Sequence, residues 1–162
     1  MLRWLQDQPR FLEWAYDLTH QALVPFRRWL KPGSNVEKLL IAGEEVGKGA
    51  IFNCKMCGQC VLHSTGMTCP MNCPKNLRNG PCGGVRANGH CEVIPEMRCV
   101  WVEAWERSQK MPEYGHELHN VIPPLNRQLQ GTSAWVNDFT GVAETPPPGW
   151  IPVADIAIRS KN

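Results

Sequence analysis

Apolar residues recur at helical spacing in three parts of this chain and lose that period between them. Phe11, Leu12, Ala15, Leu18 and Ala22 follow the i, i+3/i+4 pattern and predict a helix over residues 10–24 with a single apolar face. Pro25 closes or kinks it, because proline disfavours helical geometry in the residue before it. Phe26 to Leu30 can add a turn before the Lys31-Pro32-Gly33 stop. Ser34 with Glu37 has the form of a capping box ahead of Val36, Leu39, Leu40 and Ala42, which predicts a short helix or a strand ending at Gly43. Met97, Val100, Trp101, Ala104 and Trp105 predict a further helix from Pro95 to about Lys110, with Cys99 beside its apolar face.

Between the second and third of these patterns, turn signals dominate. Asn79-Gly80-Pro81, Gly83-Gly84 and Asn88-Gly89 leave little room for regular elements from Ile51 to Pro95. The spacing of Gly47 and Gly49 is not that of a phosphate-binding loop. After Met111-Pro112, the prolines at 123–124 and 146–148 predict an extended arm, with Trp135, Phe139, Trp150 and Ile151 spaced along it as anchors. Trp4, Trp14 and Trp29 exceed what one small helix can bury, so they are expected to face a partner or to cap the cysteine region from outside.

Cysteine placement changes the picture most. All eight, Cys54, Cys57, Cys60, Cys69, Cys73, Cys82, Cys91 and Cys99, fall within the turn-rich region and its edge. A segment with so little regular structure needs a staple other than a large apolar core, and a bound metal is the expected one. Neither a secretory signal nor an apolar run of membrane-spanning length is visible, so the chain is expected to be cytoplasmic, without a membrane span. Cytoplasmic thiols stay reduced, which favours metal ligation over four disulfides.

Charge contributes less. The net formal charge is only +2, and residues 51–99 are the one distinctly basic region, with five Lys and Arg against two Asp and Glu. Such a shell suits an anionic metal–thiolate centre. The arms lack a basic helix or stripe, so no nucleic acid is expected. No serine–histidine–acid set or pair of carboxylates stands out, and no catalytic residue is assigned.

Cys54-x-x-Cys57-x-x-Cys60 can wrap one corner of an iron–sulfur cube, and Cys69 and Cys73 are each followed by proline, as in bacterial ferredoxins. The cysteine expected next in a ferredoxin is replaced by Ser64. Eight thiols match two four-cysteine [4Fe-4S] clusters, and equally two four-cysteine zinc sites. Three cysteines in one run, with the rest more widely spread, favour iron–sulfur. Cys54, Cys57 and Cys60 are placed together with one distant thiolate that spacing does not identify. His63 and His90 could each replace a thiolate, although hydrogen-bonded roles suit them better. Gly58, Gly83, Gly84 and Gly89 could bring backbone amides close to sulfur, or simply make turns.

The expected fold is a small cysteine-rich metal-cluster domain over 36–110, mainly irregular loops with a few α-helices. A helical docking arm over 1–35 and an extended proline-rich arm over 111–162 flank it.

In order, the motifs Cys54-x-x-Cys-Gly-x-Cys60, Thr65-Gly-x-x-Cys-Pro-Met-x-Cys-Pro-Lys75, Asn79-Gly-Pro-Cys-Gly-Gly84, Asn88-Gly-x-Cys-Glu-Val93 and Cys99-Val-Trp101 resemble the cysteine-rich methylenetetrahydrofolate reductase C-terminal domain family, over about residues 38–108. The resemblance implies an accessory subunit, non-catalytic alone, beside a flavin-containing reductase barrel that itself needs over ~200 residues. FMN or FAD is then expected on that partner and not on this chain. The implied activity is an iron–sulfur relay between an unidentified electron donor or acceptor and the partner's flavin, in a hetero-oligomer of folate and one-carbon metabolism. The alternative is a zinc-binding subunit of the same reductase that recruits or stabilises it without redox activity.

Overall fold

The computed structural model describes residues 2–80, 82–122, 124–145 and 149. Five α-helices lie among them: α1 (Arg3–Gln6), α2 (Pro9–Leu23), α3 (Asn35–Phe52), α4 (Val100–Ser108) and α5 (Ala134–Phe139). Short 3-10 turns and irregular loops join them. The described residues contain no strand, only an isolated antiparallel bridge between His90 and Arg98.

Helix α2 forms where its period predicts, but it is rotated from the expected face. Leu12 is buried, whereas Phe11 and Leu18 are half exposed and Ala22 is exposed. The rotation has a polar cause. Glu13 is buried and accepts the backbone N–H groups of Glu113 and Tyr114 at 3.0 and 2.8 Å, while Asp17 accepts the Tyr114 hydroxyl at 2.7 Å. Those bonds turn the side carrying Leu12, Glu13 and Tyr16 inward.

Helix α3 starts as expected, with Ser34 Oγ accepting from Glu37 N at 3.1 Å. It does not end at Gly43. A glycine ends a helix by adopting the left-handed conformation, and here that conformation falls on Asn53, at φ 51°. The Glu44–Lys48 pair, one turn apart at 2.7 Å, supports the extra turns. Near their end, Gln6 Nε2 donates to Ile51 O at 2.8 Å, tying α1 to them.

Helix α4 begins at Val100 rather than Pro95, because the residues before it are committed elsewhere. Cys91 N donates to Met97 O and Cys99 N to Gly89 O, both at 2.9 Å. Cys99 is therefore extended and serves as the N-cap.

The expected extended arm is largely coiled back in its described part. Ser133 Oγ caps α5 by accepting from Val136 N at 3.3 Å, and Trp135 is buried. Phe139 is half buried and stacks on His20 at 5.0 Å. Pro146–Pro148 and the expected anchors Trp150 and Ile151 lie outside the described residues. Trp4, Trp14 and Trp29 keep 68, 58 and 65% of their surface exposed, so they do not cap the cysteine region. The main apolar cluster joins Leu12, Phe52, Leu62, Met67, Cys69 and Met111, and a second joins Cys99, Trp101 and Ala104.

Candidate metal centre

The left-handed Asn53 turns the chain out of α3 and delivers Cys54. Met56 N then donates to Cys54 Sγ at 3.4 Å. At Gly58 the chain turns again, with φ 74°, beneath the carbonyl of Leu129. A β-carbon here would lie 2.1 Å from that oxygen, so only glycine fits.

Polar contacts from the C-terminal third hold this run in place. Asn137 Nδ2 donates to Gly58 O and Gly131 N to Met56 O, both at 2.8 Å. The buried Gln59 side chain accepts from Asn126 N at 2.7 Å and donates to Ala143 O at 2.6 Å. Hydrogen bonds from the protein itself therefore hold the cysteine region.

Cys69 reaches the same place through a separate stitch. Asn72, three residues on, donates to Phe52 O at 2.8 Å and accepts from Asn53 Nδ2 at 2.9 Å. These bonds dock the 69–72 turn against the end of α3. Cys54, Cys57, Cys60 and Cys69 consequently line one cavity, with Lys48 and Glu44 in its wall. The free space is about 20 Å³, close to what a single water needs. Among the described residues, no three His, Cys, Asp or Glu side chains are arranged to hold one metal ion.

Burial, the largest cause, pushes the Cys69 thiol up to about 12; a backbone hydrogen bond at Met71 opposes this, and the thiols of Cys60, Cys54 and Cys57 add to it. Burial likewise raises Cys54 and Cys60. An incoming metal must therefore displace protons from these groups. Lys48 counters them. Burial alone would lower its pKa, but Cys60 and Glu44 outweigh burial and raise it, so the ammonium stays charged beside the thiols. It lies 5.1 Å from the Trp135 ring centroid and pairs with Glu44.

The donor chemistry fits a thiolate-bound metal group. Four cysteines line one space, and the half-buried Lys48 ammonium stands beside them to offset thiolate charge. Lys48 went unrecognised in the sequence. Its signal was the Glu44–Lys48 spacing at the end of a helix, six positions before Cys54.

Cys73, Cys82, Cys91 and Cys99 do not line this cavity. Cys73, Cys91 and Cys99 are buried and Cys82 is half buried. The buried Trp101 indole N–H, two residues from Cys99, has no hydrogen-bond partner among the described residues. His63 lies 3.4 Å from Glu117 and stacks on Tyr16, while His90 Nδ1 meets Pro95 O at 2.8 Å. His119 lies edge-on to Trp105.

A family model described as "Methylene-tetrahydrofolate reductase C terminal" matches residues 34–128, which include every cysteine but neither α2 nor α5. No curated protein and no solved structure matches the chain.

Proposed function

Because the chain belongs to the methylene-tetrahydrofolate reductase C-terminal family, we propose that it is an iron–sulfur subunit carrying electrons to or from the flavin of a partner methylenetetrahydrofolate reductase. The observation that carries this reading is the convergence of Cys54, Cys57, Cys60 and Cys69 on one cavity. A [4Fe-4S] cluster bound there would supply one-electron chemistry. The four thiolates would hold it, and Lys48 would offset their charge while Glu44 and Trp135 keep that ammonium in place. Phe52, Leu62 and Met71 in the same wall would keep water away. Cys73, Cys82, Cys91 and Cys99 are the candidates for a second cluster. No group on the chain is assigned a catalytic step, and the reduction or oxidation of the folate carbon belongs to the partner.

What supports a partner is the exposed aromatic surplus at Trp4, Trp14 and Trp29. No helix among the described residues is long and apolar enough to cross a membrane, so these rings do not belong to a membrane span.

The second reading is a zinc subunit that stabilises or recruits the reductase. The small free space between the thiols favours it, since one ion needs less room than a cube of eight atoms. The lack, among the described residues, of any three ligands arranged for one ion weighs the other way. Iron and acid-labile sulfide analysis of anaerobically purified protein separates the two. About eight of each per chain supports two clusters, and stoichiometric zinc with neither iron nor sulfide overturns the relay.

A further inference from the structure

A second, larger cavity adjoins the thiol-lined one. It measures about 420 Å³, the size of a small-molecule site. Helices α2 and α3 form its sides, and Trp135 of α5 lies in its wall. Cys60, Lys48, Phe52 and Leu62 line both cavities, so one wall separates the larger space from the thiols. Two of its three helices lie outside the region that matches the family model.

The lining limits the chemistry of any ligand. Most of it is aliphatic or aromatic, and Tyr16 and Trp135 stack at 5.2 Å with 26° between their rings. Such a wall suits a flat ring system. Among the described residues of the lining, Lys48 is the only Lys or Arg, and two carboxylates, Glu44 and Asp138, accompany it. A phosphate or a polyglutamate tail would meet net negative charge, which disfavours nucleotides. Glu44 is already engaged by Lys48, Ser133 and the amides of Ala134 and Trp135. Lys48, by contrast, has three N–H donors, so one can serve a ligand acceptor.

Two residues keep the cavity open at a cost. Gly43 and Gly47 lie in its lining and in the interior of α3, where glycine is about 1 kcal/mol less favourable than alanine. A β-carbon at either position would meet nothing within 4 Å, so no packing constraint requires glycine there. Both glycines are exposed and lie on the open side of the space.

We propose that this cavity binds an uncharged quinone, its rings against Tyr16 and Trp135 and a carbonyl oxygen accepting from Lys48. The choice of a quinone over any other flat carbonyl compound rests on the electron-relay reading, because the ligand would stand across one wall from the thiols.

The test is titration of the purified full chain with dimethylnaphthoquinone, methylated at both reactive ring positions so that the thiols cannot add to it, followed by tryptophan fluorescence and calorimetry. Dimethylnaphthalene is the control without carbonyls. Saturable one-to-one binding of the quinone, at least about tenfold tighter than the hydrocarbon, is expected. Gly47→Leu fills the cavity and should weaken quinone binding by at least about tenfold while leaving the melting temperature unchanged or higher. Lys48→Met should bring the quinone down to the hydrocarbon's affinity. No binding, equal binding of both probes, or binding indifferent to Gly47→Leu overturns the proposal. Clusters present without quinone binding would sink this site and spare the relay. Quinone binding to protein without iron and sulfide would do the reverse.

Discussion

Glu44 and Ser133 stand 89 positions apart in sequence, yet the Ser133 hydroxyl donates to the Glu44 carboxylate at 2.5 Å in the interior. The same carboxylate pairs with Lys48 and accepts the first amides of α5. One acidic side chain thus fixes the helix that carries Trp135 and the cation beside the thiols. Glu44→Gln keeps the shape but leaves a largely buried ammonium, 15% exposed, without its counter-charge. Removing one partner of such a pair costs about 3–5 kcal/mol. Urea unfolding should show a loss of that order, and Glu44→Gln/Lys48→Met should recover part of it.

Gly58 offers a backbone test of the clamp on the cysteine run. Alanine there would have to keep φ near 74° and place its β-carbon 2.1 Å from Leu129 O. Strain and displacement together should cost roughly 2–4 kcal/mol. Gly83, with φ outside the left-handed region and open space around it, is the matched control, and Gly83→Ala should lie within about 0.5 kcal/mol of the parent.

His63 gives the fold an acid-side sensitivity. Burial is the main cause of its lowered pKa; Glu117, Asp138 and Asp17 oppose it. A neutral histidine is therefore favoured in the folded state. Its contribution is fully present above the unfolded value of 6.5 and is lost as the pH falls from there through the folded pKa. The melting temperature of the parent should drop between about pH 7 and pH 5. His63→Phe keeps a ring against Tyr16 and should show a shallower drop. An identical slope in both proteins would remove His63 as the cause.

These tests also mark where local sequence stops being informative. The Ser34 cap was legible because its hydrogen bond spans three residues. The end of α3 was not, since Asn53 rather than a glycine takes the left-handed turn. The cysteine triplet announced itself by spacing alone. The fourth member of its cavity, Cys69, depends on Asn72 meeting Phe52 and Asn53, a pairing across 19 to 20 positions. The clamp on Gln59 comes from still further away, at Asn126 and Ala143, and leaves no local period to read. The inward face of α2 does not follow its apolar count, because the buried, hydrogen-bonded Glu13 outweighs it.

The exposed tryptophans test the partner. Trp14 and Trp29 are 58 and 65% exposed, so replacing them should change stability by no more than about 0.5 kcal/mol. Interface anchors of this type lose about 2 kcal/mol or more of binding when truncated. Trp14→Ser/Trp29→Ser should therefore melt like the parent yet fail to co-purify with a co-expressed flavin-containing reductase. Undiminished capture would mean that the patch does not face that subunit.

Single cysteine replacements test the grouping of the thiols. Cys69 shares a cavity with Cys54, Cys57 and Cys60, whereas Cys91 does not line it. If the first four hold one cluster and the last four another, Cys69→Ser and Cys60→Ser should each remove about half of the iron and sulfide, about four atoms of each. The double variant Cys60→Ser/Cys69→Ser should then be no worse than either single one, because both strip the same centre. Cys69→Ser/Cys91→Ser should lose nearly all of the metal, because each strips a different one. Serine keeps the size of the side chain, and the clamp at Gln59 and Asn137 does not pass through sulfur, so the half-loaded proteins should remain folded. The grouping fails if Cys60→Ser and Cys69→Ser together cost twice what either costs alone. It fails equally if Cys91→Ser removes the same iron as Cys69→Ser.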